Sequence, residues 1–529
     1  MTDRILVPEP EVDVDTVIEQ QNAVGQMDAT AGDEESRENL RAKLRNTLNK
    51  KQSLPGTFWP EHDGVWLLPL TERVCSEEYP PRQYFVLTDA GKPVFTTLRD
   101  EDSVEVASSI GIMQALISVF LDEHDKLRSI NAGSCRITFL LRQPLYYVCV
   151  SSWGEPESVT RLHLDYLHLQ ILSVVTAQQL KKMFERRTNF DLRRLLGGAE
   201  PFMHTLLQRL EGDMAVNLSS LQFLKLDQSV RSRTAEALVP VQKMKDMLYI
   251  VLIAAGRVIT LVRPKKHSIH PPDLHLLLNT VHAPSIYNNS ASASWFPICL
   301  PKFNSTGFVN TYVNFVRREG DSSLVLPTST IAAATTNSSG DGENRSTAGS
   351  LSGPDPFPTS IGLICVTGES DFDVIRVWGE NVIQRLEREG SLEAISDAIY
   401  SGDSAYSVSE LGIPGLRHFF YKSRSHVQIT GPEFEEPYKD LQERRRLITL
   451  YQLVHDALHG KSGQEKTLKL QYLRTDKEGV LGWITQPFEL YVTLSPILPK
   501  SAVIGTANAV VKWVRKEESK LFLRDAPVF

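Results

Sequence analysis

The chain is poor in cysteine, and none of its five (Cys75, Cys135, Cys149, Cys299 and Cys365) forms a CxxC pair. That excludes zinc ribbons and thioredoxin-like redox motifs. Cys149, Cys299 and Cys365 sit inside apolar, strand-like runs, which predicts buried thiols in a reducing compartment. No apolar run reaches the roughly 20 residues that span a bilayer, and no secretory leader is recognised. Neither G-x-S-x-G nor H-E-x-x-H occurs, so the common hydrolase and zinc-protease signatures are absent. Basic residues are outnumbered by acids, 57 against 64. The formal net charge is −7, but residues 1–38 hold eleven acids and two bases, or −9, so the remainder carries +2. The tail is acidic and the body nearly neutral, and no nucleic-acid partner is expected.

A phosphate-binding loop is also missing, despite an apparent trace of one in YFVLTDAGKPVFTTL (84–98). That motif needs G-x-x-x-x-G-K-[ST]. Here Val86 stands five before Gly91, and Pro93 follows Lys92. Gly460-Lys461-Ser462 fails similarly, with His455 at the first glycine position. The stretch reads instead as strand, turn and strand, with Asp89-Ala90-Gly91 as the turn. Pro93 cannot donate to a ladder, so the second strand starts there or lies at an edge.

What the chain does have is a repeat. VLTDAGKPVFT (86–96) and VLIAAGRVITL (251–261) place Ala-Gly and a basic residue between two apolar runs, with Gly91 and Gly256 165 residues apart. A further 165 reaches LRHFFYKSRSHVQIT (416–430), again strand, basic turn, strand. Three openings at one period predict three copies of one domain. Helices are expected at 104–122 and 161–186, 272–282 and 372–389, and 438–458 and 500–521. Strands are expected between the members of each pair. The class is α+β, an antiparallel sheet flanked by helices. The predicted divisions are a disordered acidic regulatory tail (1–80), a first domain (81–210), a connector (211–245), a second domain (246–402) carrying a low-complexity insertion (319–358), and a third domain (403–529). In the tail, 58–70 is unexpectedly apolar. Trp59 and Trp66 mark it as a segment that docks onto something, and an autoinhibitory contact with the chain itself is the expectation.

The helix at 104–122 is apolar almost all round. Ile110, Met113, Ile117, Phe120 and Leu121 share one face. Ile112, Leu116 and Val119, with Ala115 beside them, form nearly the opposite one. Such a helix is buried on two sides. One side meets its own sheet, and the second is read as a partner interface. His267, His270, His275, His282 and Asp273 match no metal-ligand spacing, and His163, Asp165 and His168 do not converge on one helix face. No metal or cofactor is expected. Arg263, Lys265 and Lys266 form a basic cluster suited to anionic lipid. Arg444, Arg445 and Arg446 read as a solvated helix face.

The order β-β-α-β-β-β-α is that of the longin domain. The AGKP hairpin (84–95), GIMQAL (111–116), LRSINAG (127–133) and NFDLRRLL (189–196) occur in order and together resemble the SAND family, the Mon-type vacuolar fusion proteins. The similarity is dense over 84–200 and looser beyond. The resemblance implies three longin domains, the first pairing with a Ccz-type longin partner. It implies a guanine-nucleotide exchange factor for the late-endosomal and lysosomal Rab GTPase, without covalent chemistry, and a third β-propeller subunit in animals. It implies a cytoplasmic protein recruited peripherally to endosomal and lysosomal membranes bearing anionic or phosphoinositide lipid. On that reading Asp89, Lys92, Pro93 and Phe95 face the GTPase, while Asn189, Asp191, Arg193 and Arg194 brace the long helix or add surface. A non-catalytic longin scaffold or tether is the second reading the resemblance allows.

Overall fold

The computed structural model describes residues 79–98, 104–187, 190–241, 244, 246–283, 286, 293–316, 360–461 and 467–529. These fall into two compact units, Gly111–Leu127 and the rest. Trp59, Trp66, Asn189 and the 319–358 insertion lie outside the described residues.

Three sheets recur at the predicted period. The first orders its strands β2-β1-β5-β4-β3: β1 (Gln83–Thr88), β2 (Pro93–Thr96), β3 (Ser129–Ala132), β4 (Cys135–Arg142) and β5 (Leu145–Ser151). Between β2 and β3 runs helix α1 (Val104–Asp122). After β5 come α2 (Glu157–Val174), α3 (Ala177–Arg186), a 3-10 turn (Leu192–Arg194), α4 (Glu200–Gly212) and α5 (Met214–Asn217). The single helix expected over 161–186 is therefore two. Val175 is extended, and the Thr176 hydroxyl accepts from Gln179 N–H to start a new helix.

The described part of the connector after α5, residues 218–241, is folded rather than a bare link. Strand β6 (Leu221–Gln222) joins the third sheet, and α6 (Gln228–Leu238) packs on the second domain. The second sheet, β8-β7-β11-β10-β9, repeats the first order with β7 (Met247–Ala254), β8 (Arg257–Val262), β9 (Ser294–Ile298), β10 (Val309–Val316) and β11 (Ile361–Thr367). Helix α7 (Pro271–Val281) covers one face, and α8 (Phe372–Arg388) and α9 (Ser391–Tyr400) cover the other. A short α10 (Val408–Leu411) leads into β12 (Leu416–Ser423) and β13 (Gln428–Thr430). Then come α11 (Leu441–His459), β14 (Leu470–Arg474), β15 (Gly479–Ile484), β16 (Phe488–Leu494), α12 (Lys500–Lys516) and α13 (Glu518–Leu521). Their sheet, β14-β15-β16-β12-β13-β6, has α11 on one face and α12 on the other, and its one parallel pair is β13 with β6.

In the first domain Tyr84, Val86, Leu140, Tyr147 and Cys149 pack with Leu164, Leu167 and Ile171 of α2. Phe85, Leu87, Phe139, Tyr146 and Val148 alternate with them and are buried on the other face. All three domains share this two-sided burial, which is why their strands read as continuous apolar runs. The thiols of Cys149, Cys299 and Cys365 are buried as expected.

The domains share helices. Helix α7 packs on α2 and α4, α11 packs on α4, and Leu276 of α7 belongs to the core of the first domain. The chain enters this block at Tyr79, which is 1 % exposed. Its ring meets Trp153 edge-on at 5.5 Å, and its N–H donates to Gln442 of the third domain at 2.8 Å. The tail boundary drawn at residue 80 is thus too late by at least two residues, since Tyr79 and Pro80 are part of the fold.

Candidate interaction surface

The turn Thr88–Lys92 is held by its own backbone. Thr88 N–H donates to Lys92 O at 2.8 Å, Gly91 N–H to Thr88 O at 2.9 Å, and Lys92 N–H to the Thr88 hydroxyl at 3.0 Å. Gly91 sits at φ +79°, where a side chain is strained. A further bond, Asp89 N–H to Pro144 O at 2.9 Å, ties the tip to the loop between β4 and β5. Asp89 is exposed, and Lys92 and Pro93 are half-buried at the start of the edge strand β2. Phe95 departs from expectation. It is 3 % exposed, packs in the first core and lies 4.9 Å from the His204 ring, so it supports the hairpin from below and offers no surface.

Strand β2 packs against the Leu192–Arg194 turn, so two distant segments of the sequence meet at one edge of the sheet. Asp191 does not brace the long helix. Its carboxylate accepts from Arg193 N–H at 3.2 Å and caps the 3-10 turn, with Arg194 pairing to it at 3.6 Å. Arg194 is exposed and Leu192 below it is buried. The edge thus carries Asp89, Lys92, Asp191 and Arg194 over an apolar floor of Val94, Phe95, Leu192 and Leu196.

Helix α1 differs from its counterparts. In α11 every residue from Arg446 to Leu458 is buried, and in α7 every residue but Pro272. In α1 only Val106, Ile110, Met113 and Ile117 are buried, a single stripe. Opposite that stripe Ile112 is 59 % exposed, while Ala115, Leu116 and Val119 are half-buried.

Of the basic clusters, Lys265 and Lys266 are exposed. Arg263 is half-buried and bound through its backbone to the C-terminal segment, with N–H to Pro527 O and its carbonyl taking Phe529 N–H, each at 3.2 Å. The arginine triplet is no solvated face. Arg446 is clamped between Glu443 and the fully buried Glu478. Arg445 joins Glu211 at 2.8 Å and Tyr79 O at 2.9 Å, and Arg444 lies 4.8 Å from the Phe434 ring centre. Apart from Glu443, three residues before Arg446, the partners of Arg446 and Arg445 stand 32 to 366 residues away in sequence, so local pattern could not find them.

His275 and Asp273 of the second domain are structural. The His275 ring bonds Ser220 O at 2.8 Å, and the Asp273 carboxylate accepts Lys302 and Phe303 N–H. Burial pushes the Asp273 carboxyl upward against those bonds. His163 and His168 bind Tyr84 and Tyr147 hydroxyls, each at 2.9 Å. Burial holds His163 well below the usual imidazole range and His168 at about 4, so both are neutral. No helix of the described residues is long and apolar enough to cross a membrane.

Comparison with known proteins agrees with this architecture. The family model described as the first longin domain of FUZ, MON1 and HPS1 matches residues 82–206. The second longin domain of the same group matches 245–338 and the third 415–518. The chain is 46 % identical over 453 residues to the vacuolar fusion protein MON1 of Cryptococcus neoformans, covering 85 % of this chain and 66 % of that one. It therefore spans just under two thirds of that relative. Identity is 34 % over 442 residues to protein SAND of Takifugu rubripes (84 % and 76 % covered). It is 32 % over 496 residues to human vacuolar fusion protein MON1 homolog A (90 % and 68 % covered). With three such matches in order, each on a sheet of its own, the chain belongs to the MON1/SAND family of longin-domain proteins.

Proposed function

We propose that this chain is one subunit of a heteromeric guanine-nucleotide exchange factor for the late-endosomal and lysosomal Rab GTPase. Its work would be early-to-late endosome maturation and the fusion of vacuoles, lysosomes and autophagosomes. The names of the relatives support a role in vacuole fusion. The observation that carries the reading further is the contrast among three equivalent helices. Helices α7 and α11 have their second sides covered within the chain, whereas α1 leaves Ile112 exposed. A longin partner of the Ccz type fits there, and the hairpin edge with Asp89, Lys92 and Pro93 is the candidate GTPase surface.

Exchange requires no nucleophile. A GTPase holds nucleotide through its phosphate loop, magnesium and ordered switch segments. A partner that binds the nucleotide-free form more tightly weakens nucleotide binding by the same factor. Lys265 and Lys266 supply exposed charge for an anionic or phosphoinositide-bearing membrane, each basic group near the surface being worth about 1 kcal/mol. A β-propeller subunit would complete the assembly. Release of labelled GDP from the Rab by the purified complex tests the reading. A complex that binds the Rab without speeding release would be a scaffold or tether.

A further inference from the structure

We propose that His455, His459 and Glu489 of the third domain form a binding site for a divalent transition metal, with Zn²⁺ the best match to the ligand set. The histidines stand four residues apart near the end of α11, so their rings share a face, with centroids 4.3 Å apart. Glu489 reaches them from β16, its Oε2 lying 3.2 Å from His459 Nε2. One donor atom from each side chain lies within 4.8 Å of the other two. Tetrahedral Zn²⁺ with bonds of about 2.0–2.1 Å needs donors roughly 3.3 Å apart. Side-chain rotations that bring the donors together by up to about 1.5 Å close that gap.

The proton on His455 is placed for ligation, and the one that His459 Nε2 shares with Glu489 Oε2 is released when a metal binds there. The Tyr491 hydroxyl donates to Glu489 Oε2 at 3.0 Å, so its oxygen accepts the N–H of His455 Nδ1 at 2.7 Å. The lone pair of His455 is then on Nε2. A hydrogen bond at the far nitrogen is how ligating histidines are fixed in tautomer and orientation. Two cations approach Glu489 through its other oxygen: Lys422 reaches Oε1 at 3.2 Å and Arg424 at 3.8 Å. A third, Lys461, places Nζ 3.3 Å from His455 Nε2. Its ammonium stands on the nitrogen a metal would take. Lys461 is exposed and follows the helix-ending Gly460, so it can swing to solvent as the ion enters beside the half-buried His459. Metal and Lys461 therefore compete for one position. The site adjoins Asp456, which accepts the Ser158 hydroxyl of the first domain at 2.5 Å, so a bound ion would stiffen the joint between the first and third domains.

The test is titration of the chelator-treated full chain with Zn²⁺ by calorimetry and with Co²⁺ by visible absorption. We expect one equivalent bound, tetrahedral Co²⁺ bands and a Tm rise of several degrees. His459→Gln should weaken binding at least about tenfold, and Lys461→Gln should tighten it several-fold by removing the competing charge. His459 is half-buried at a helix end, so its loss leaves the core intact even if Glu489→Gln does not fold. Absence of stoichiometric binding in both the native chain and Lys461→Gln would overturn the site. So would binding that survives the pair His455→Gln and His459→Gln.

Discussion

His418 is fully buried in β12, stacked on Phe434 at 4.5 Å with its Nδ1 3.1 Å from the Tyr451 hydroxyl. Burial holds it at about 3, against roughly 6.5 in an unfolded chain. His168 and His282 are depressed to about 4 for the same reason. The unfolded chain thus binds protons below pH ~6.5 that the folded chain refuses, so stability present above that pH is lost as pH falls toward 4. For His418 alone the loss at pH 5.5 is about 1.4 kcal/mol. Urea unfolding at pH 7.5 and 5.5 should show a lower midpoint at 5.5. His418→Phe, which keeps the stack, should shrink the difference. An equal difference in the variant would mean that other groups carry it. Phe95 teaches a separate lesson at this scale. Its place in a motif suggested surface, but β2 is buried continuously from Val94 to Thr96, and Phe95 packs in the first core beneath the turn.

Among the elements, helix α1 carries the sharpest expectation. Leu116→Asp should abolish co-purification with the longin partner while the chain stays folded, because Leu116 lies beside the exposed Ile112 rather than on the buried stripe. A variant that unfolds would make this face core, and undisturbed pairing would refute the assignment. Much at this scale was legible in the sequence. Gly91 at φ +79° and Gly256 at φ +69° occupy equivalent hairpin turns, as the Ala-Gly repeat required. The third hairpin hid its likeness because Val427 takes φ +53° there with no glycine to announce it. Strands β3 and β15 are hard to read as separate elements, since four and six residues next to other strands give little period. The candidate metal site was invisible for another reason. His455 and His459 show helical spacing, but Glu489 lies thirty residues on and in a strand.

The whole molecule is organised around the helices that its domains share. Arg445 of α11 joins Glu211 of α4 at 2.8 Å, holds Tyr79 O at 2.9 Å and lies 5.1 Å from the Trp153 ring centre. A double-mutant cycle on Arg445→Ala and Glu211→Ala should return a coupling of about 1–3 kcal/mol, as for a direct charge pair mostly screened from water. Coupling near zero would mean that this pair adds nothing to the joint between the first and third domains, leaving it to the other contacts there. If that block positions the hairpin edge for a GTPase, chemistry at the edge should govern exchange without governing assembly. The deciding measurement is the rate of labelled GDP release from the late-endosomal Rab with the purified complex of this chain and its longin partner. The account predicts strong acceleration by the native complex, and a markedly slower rate with Lys92→Glu in a complex that assembles normally. No acceleration by the native complex would contradict the exchange function, and a Lys92→Glu rate equal to the native one would remove the hairpin edge from it.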